Sequence, residues 1–170
     1  MNRNHAILLF IAILTFPLIS LFIPDSEPGT VSSLDGVELS NVTGQKFKFS
    51  GIFTDKPTML VFWSITCGTC IEEIPFVSRL HETYKDKVTI IGIHPPGRPL
   101  KKIQGFLRKR KEPIPYMLAI DDNGELLKNY EVTVLPRTIL INRQGQVLYD
   151  HLGYDPSQEK EIEDAIVAKL

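Results

Sequence analysis

The sequence predicts an α/β domain with a central mixed sheet flanked by helices, and three stretches predict it. Met59–Trp63 is an uninterrupted apolar run, the mark of a strand buried on both faces. Val88–His94 is a second such run, separated from the first by a helical stretch, so the two form a right-handed βαβ unit. Thr138–Asn142 and Gln146–Leu152 alternate around Arg143-Gln144-Gly145, which gives an antiparallel hairpin. Parallel strands followed by that hairpin make the sheet mixed.

Taken in order, the chain opens with a short, mildly basic Met1–His5 and then Ala6–Ile23, an 18-residue stretch without a charge. As a helix it spans roughly 27 Å, about the thickness of a bilayer core. Residues 1–23 therefore read as an N-terminal transmembrane signal anchor. Arg3 precedes it and Asp25, Glu27, Asp35 and Glu38 follow it, an asymmetry that leaves the domain outside the cytoplasm on a single-pass anchor. A cleaved signal peptide is the main rival, but no clear small-x-small cleavage site stands near Ile23. A buried helix of the domain is a weaker one, given Pro17. No cysteine ends the stretch, which argues against lipid modification.

Residues 24–36 (PDSEPGTVSSLDG) are polar and rich in Pro, Gly and Ser, so they read as a linker, with the domain occupying 37–170. Short alternations around Gly44-Gln45 and Gly51 predict a small hairpin and a connector. The helix after Cys70 places Ile71, Ile74, Val77 and Tyr84 inward, and Pro75 is expected to kink it by removing a backbone donor. After His94-Pro95-Pro96-Gly97 a second helix buries Leu100, Ile103, Phe106 and Leu107 and turns a basic run, Lys101 to Lys111, outward. Pro115–Ile120 is a short strand, Glu125–Tyr130 a brief helix, and Asp155-Pro156-Ser157-Gln158 caps a last helix that buries Ile162, Ala165 and Ile166.

Composition bounds the function. At 43% hydrophobic and 23% charged the chain can bury a core, and a net charge of −1 gives no global bias toward nucleic acid or acidic substrates. Two cysteines are too few for a disulfide scaffold. They stand as Cys67-Gly68-Thr69-Cys70 between the first buried strand and its helix. There the free N–H groups of the helix start favour a thiolate at Cys67, and Cys70 lies one turn on. A structural bridge across two residues would stabilise little. A zinc site would need two more ligands, and His5, His81, His94 and His151 show no ligand spacing. The pair reads as a redox disulfide, with Cys67 attacking and the more buried Cys70 resolving. No cofactor or metal is implied.

Glu73 follows Cys70 by three residues and shares its helix face. A carboxyl desolvated beside a thiol tends to stay protonated and can pass a proton during exchange; Glu72 reads as the exposed one. Trp63 reads first as core, His94 as a loop residue, and the basic run as a solvated face. Docking of that run on anionic lipid or an acidic partner is the alternative.

At this point the chain resembles the membrane-anchored, extracytoplasmic thioredoxin-like proteins of the TlpA/ResA/CcmG group. Phe62–Cys70 resembles the group's FWxxWCxxC site, and Glu73 and Pro75 match its CxxCxxExP helix. Tyr130–Pro136 resembles the approach to the group's cis-proline, and Thr138–Val147 the TFLID-x-x-G-x-V hairpin after it. The resemblance implies a thioredoxin-like fold over about 37–170. It also implies a cis Leu135–Pro136 bond whose backbone lies beside the sulfurs, and a substrate-binding surface of Leu135, Pro136, Trp63 and Thr66. Thr66 stands where the group usually has Trp, and Leu135 is bulkier than its usual Thr or Val. Val61 occupies the place of the buried acid of ordinary thioredoxins, so proton handling falls to Glu73.

Function follows as expectation. The resemblance implies a thiol–disulfide oxidoreductase acting as a reductant, with electrons arriving from a membrane thiol-transport protein and passing to an oxidised client protein. Apocytochrome c, whose haem-binding cysteines must be reduced, is the best-known client class. A disulfide-forming oxidase of the same fold is the main alternative. A thiol peroxidase is weaker, because the proline it expects seven residues before Cys67 is Leu60. A non-catalytic binding or chaperone module, with incidental cysteines, comes last.

Overall fold

The computed structural model describes residues 34–170, so the anchor expected over 1–23 and most of the linker lie outside the described residues. Among the described residues no helix is long and apolar enough to cross a membrane. Among the described residues seven strands form one sheet. In chain order they are β1 (Glu38–Asn41), β2 (Lys46–Lys48), β3 (Thr58–Phe62), β4 (Thr89–His94), β5 (Met117–Ile120), β6 (Arg137–Ile141) and β7 (Val147–Leu152). Among the described residues four α-helices accompany them: α1 (Gly68–Tyr84), α2 (Leu100–Lys109), α3 (Glu125–Asn129) and α4 (Glu159–Val167).

The strands lie side by side as β2-β1-β5-β4-β3-β6-β7. β3 pairs parallel to β4 and antiparallel to β6, and β4 pairs parallel to β5, so the mixed sheet turns at β3. The N-terminal hairpin is part of the sheet, with β1 antiparallel to β5 at its far edge.

Period-two alternation sorts the apolar residues onto two faces. Leu60, Phe62, Ile91, Ile93, Ile139 and Ile141 pack on one side with Phe49 and with Leu126 of α3. Met59, Val61, Ile90 and Leu140 pack on the other with Phe76, Val77 and Leu80 of α1 and Ile162 and Ile166 of α4. Leu34 is fully buried in the first cluster, so core packing reaches into the stretch that composition marks as linker. α1 runs continuously through Pro75, whose ring is exposed. The short α3 is held by Asp121, whose carboxylate accepts the Glu125 and Leu127 N–H groups at 2.9 and 3.0 Å.

Gly92, on β4 beneath the redox loop, leaves room for two aromatic side chains and a leucine. A Cβ there would lie 2.7 Å from Leu118 Cδ2, 3.1 Å from Trp63 Nε1 and 3.2 Å from Tyr116 Cε2. Gly92→Ala is expected to destabilise the fold by about 1–3 kcal/mol through overpacking. Chemical denaturation followed by emission of Trp63, the single tryptophan, checks this. An unchanged midpoint would mean that Leu118 yields freely.

Candidate active site

The site forms where the central strand runs out of partners. Beyond β3, the Trp63 N–H still donates to Ile93 O at 3.0 Å, and then the chain turns. The Ser64–Cys67 turn is closed by Cys67 N–H to Ser64 O at 3.0 Å and Thr66 N–H to Ser64 Oγ at 3.3 Å. It is tied to the sheet by Ile65 N–H donating to His94 Nε2 at 3.3 Å. Cys67 then caps α1, its Sγ accepting the Cys70 N–H at 3.2 Å.

Cys67 and Cys70 are joined, with Cα atoms 5.2 Å apart. Cys67 is half-buried, whereas Cys70 is 1% exposed, so one sulfur can meet a partner and the other is shielded. When the bridge opens, the N–H at Cys67 Sγ and the N-terminal dipole of a 17-residue helix both favour a thiolate there. That asymmetry suits attack by Cys67 and resolution by Cys70.

Beneath the pair lies Trp63, 3% exposed, set between His94 (ring centroids 5.6 Å apart) and Phe106 (5.9 Å). It packs with Cys70 and Ile74. Trp63 therefore supports the site from below and presents no surface to a client, which corrects its place among the expected contact residues. His94 ends β4, as the Val88–His94 run expects, but at 1% exposure it is buried and is not the loop histidine expected. Its Nδ1–H donates to Pro95 O at 2.8 Å, which leaves Nε2 free to accept from Ile65. Burial pulls its pKa down, in keeping with that neutral tautomer.

Glu73 is 3% exposed and Glu72 is exposed. Thr138 Oγ1, on β6, donates to Glu73 Oε1 at 3.1 Å, while Oε2 has no hydrogen-bond partner. Burial pushes this carboxyl up to about 7, and the Thr138 bond only partly offsets that.

The second side of the site is the loop entering β6. The Leu135–Pro136 bond is cis, and Leu135, like Cys67, packs on the cluster of Trp63, Cys70 and Ile74. Val134 beside it is 53% exposed. Arg137 clamps this loop: Nη1 donates to Glu131 O at 2.8 Å, while Nε and Nη2 grip Asp150 at 2.8 and 2.5 Å. Glu131 itself sits at φ +51°, a left-handed turn that the clamp holds. Thr66, exposed at the rim, accepts a 3.4 Å contact from Arg98 Nη2.

Arg137→Leu is expected to lower kcat/KM for a disulfide-bonded peptide roughly tenfold by freeing the loop, and Arg137→Lys to recover only part, because an ammonium cannot span both partners. Steady-state kinetics of the two variants checks this, and equal recovery by Lys would reduce the clamp to a simple charge pair. Neither His94, Arg98 nor Arg137 carries a motif. Only the period-two phase of Val88–His94, which places His94 on the Trp63 side, could have pointed to one of them.

Comparison with known proteins agrees with this geometry. The Redoxin family model matches residues 22–166. Thiol-disulfide oxidoreductase ResA of Bacillus thuringiensis is 29% identical over 124 residues, 72% of this chain and 69% of its own length. Thiol-disulfide oxidoreductase YkuV of Bacillus subtilis is 24% identical, over 68% of this chain and 83% of its own. Among solved structures, a Chlorobium tepidum protein assigned as thiol:disulfide interchange protein DsbE superposes with a TM-score of 0.67. It shares 27% identity and covers 77% of this chain and 90% of its own. With an accessible Cys67 bridged to a shielded Cys70 on a thioredoxin-like sheet, the chain belongs to the redoxin family and is a thiol–disulfide oxidoreductase.

Proposed function

We propose that the protein is a membrane-tethered reductant of client-protein disulfides, working outside the cytoplasmic membrane. The observation that carries the exchange reading is the unequal exposure of the two sulfurs at the start of α1. In the reaction, the Cys67 thiolate attacks a client disulfide, forms the mixed disulfide and expels one client thiolate, which takes up a proton. Cys70 then attacks Cys67 Sγ, closing the Cys67–Cys70 bridge and releasing the second client thiol. Two electrons pass to the client. Glu73, buried on the Cys70 face of α1, takes the proton that Cys70 must shed. A membrane thiol-transport protein would return the pair to the dithiol. Leu135, Pro136 and Thr66 form the rim that meets the client.

Tethering rests on the uncharged Ala6–Ile23 with Arg3 before it and acids after it. The reducing direction rests on the resemblance to the TlpA/ResA/CcmG group, which also makes apocytochrome c the leading client. The test is the reduction potential of the Cys67–Cys70 pair, equilibrated against thiol buffers. A value near about −270 mV, that of thioredoxin, is expected. A value near about −120 mV would make the protein an oxidant and remove the cytochrome reading.

A further inference from the structure

The basic run on α2 is not an evenly solvated face. Residues 98–111 carry seven cations and no acid: Arg98, Lys101, Lys102, Arg108, Lys109, Arg110 and Lys111. With a chain charge of −1, everything else carries a formal −8. At roughly 100° per residue, Lys101, Lys102, Arg108 and Lys109 fall within about a third of the helix circumference. All four are exposed, and Gly105 at the centre of their arc leaves the backbone open between them. Ile103 is buried on the opposite side, with Phe106 and Leu107 half-buried.

Among the described residues there are six ion pairs, and none uses any of these seven cations. The fold thus leaves this concentration of one charge without ion pairs, and it brings one end of the run to the rim of the redox site. At one end Arg98 reaches Thr66, the neighbour of Cys67. At the other, Arg110 lies over the Phe106 ring at 5.7 Å, and Phe106 packs against Trp63 and the cysteine cluster.

Resting on the thiol-exchange reading above, we propose that the basic face of α2 docks an acidic segment of the redox partner protein and thereby delivers its sulfurs to Cys67. Charge complementarity selects the class of partner, and position favours a protein over a bilayer. Arg98 at the head of the run touches Thr66, so an acidic chain lying along α2 ends at the rim of the redox site. The gain is chiefly in encounter rate, because exposed cations are screened within a Debye length of about 10 Å at 0.1 M salt.

The test uses the full chain, reduced, in a neutral detergent, with three peptides of one sequence that differ only in flanking residues: four Asp, four Ser or four Lys around the same disulfide. At about 20 mM salt the acidic peptide is expected to be reduced roughly tenfold faster than the Ser peptide, and the gap to close to within about twofold at 0.5 M. The variant K101E/K102E/R108E/K109E is expected to prefer the Lys peptide and to reduce the uncharged bis(2-hydroxyethyl) disulfide at the wild-type rate. Equal rates for the three peptides, with exchange on the uncharged disulfide intact, would overturn the docking proposal alone. Such equal rates, joined to a slowing by added phosphatidylglycerol that the variant escapes, would assign the face to lipid instead. Failure to reduce even the uncharged disulfide would remove the exchange reading, and this proposal with it.

Discussion

Cys70→Ser is expected to end turnover while leaving the first half of the reaction intact. Cys67 is half-buried and caps α1, so its sulfur still meets a client disulfide and still draws on the helix N-terminus as a thiolate. With serine at 70 nothing can attack Cys67 Sγ from within, and the mixed disulfide persists. The expected loss of multiple-turnover rate is about 10³-fold or more, the scale on which removal of a covalent participant acts. A covalent client adduct through Cys67 should accumulate, visible as a mass increase and on a non-reducing gel. Cys67→Ser should give no adduct, because Cys70 is 1% exposed and no client sulfur can reach it. Misfolding does not explain either result, since a bridge closing so short a loop contributes only about 2 kcal/mol. Adducts that form in Cys67→Ser and not in Cys70→Ser would reverse the two roles.

Much of this arrangement is legible in the sequence, and the reasons are physical. A strand buried on both faces must be apolar throughout, so Met59–Phe62 and Ile90–Ile93 announce themselves. The pair of cysteines at a helix start identifies the chemistry without help from tertiary structure. Glu73 is legible because i to i+3 spacing puts it on the face of Cys70, and it is indeed buried while Glu72 is not. What escapes is whatever depends on a distant partner. Leu34 is one apolar residue in a polar stretch, and only the folded core shows that it is needed. His94 stands at the end of an apolar run and reads as a loop histidine, yet its ring is buried against Trp63 and holds the Ile65 N–H. Arg137 pairs with Asp150 across the β6–β7 hairpin and with Glu131 six residues back, a pairing no local pattern encodes. The same holds for the α2 cations. Their periodicity is plain, but their lack of ion-pair partners is a property of the assembled surface.

Glu73→Gln should change both the stability of the protein and the speed of exchange as functions of pH. In the folded protein the carboxyl is held up to about 7, because burial penalises its charged form; unfolded, it titrates in the ordinary range near 4.5. Between those two values the native state holds a proton that the unfolded state releases. Native stability is therefore full below about 4.5, falls as pH rises through 7, and levels off above it. The total fall is about 3 kcal/mol, as 1.36 kcal/mol per pH unit acts across that window. Glutamine has no such transition. It keeps the bond from Thr138, although its amide meets the same empty surroundings as Oε2. Urea denaturation should show the wild-type decline from pH 5 to 8 vanish in the variant, leaving the variant the more stable of the two at pH 8. The kinetic effect has the opposite sign. Without a carboxylate to take the Cys70 proton, closure of the Cys67–Cys70 bridge at pH 7 should slow about 10²-fold, and the inflection near 7 should leave the pH–rate profile. A structural glutamate would yield the stability change alone. Gain of stability together with loss of rate in one substitution marks a group buried at a cost for the proton it carries, and unchanged profiles for both would deny Glu73 that role.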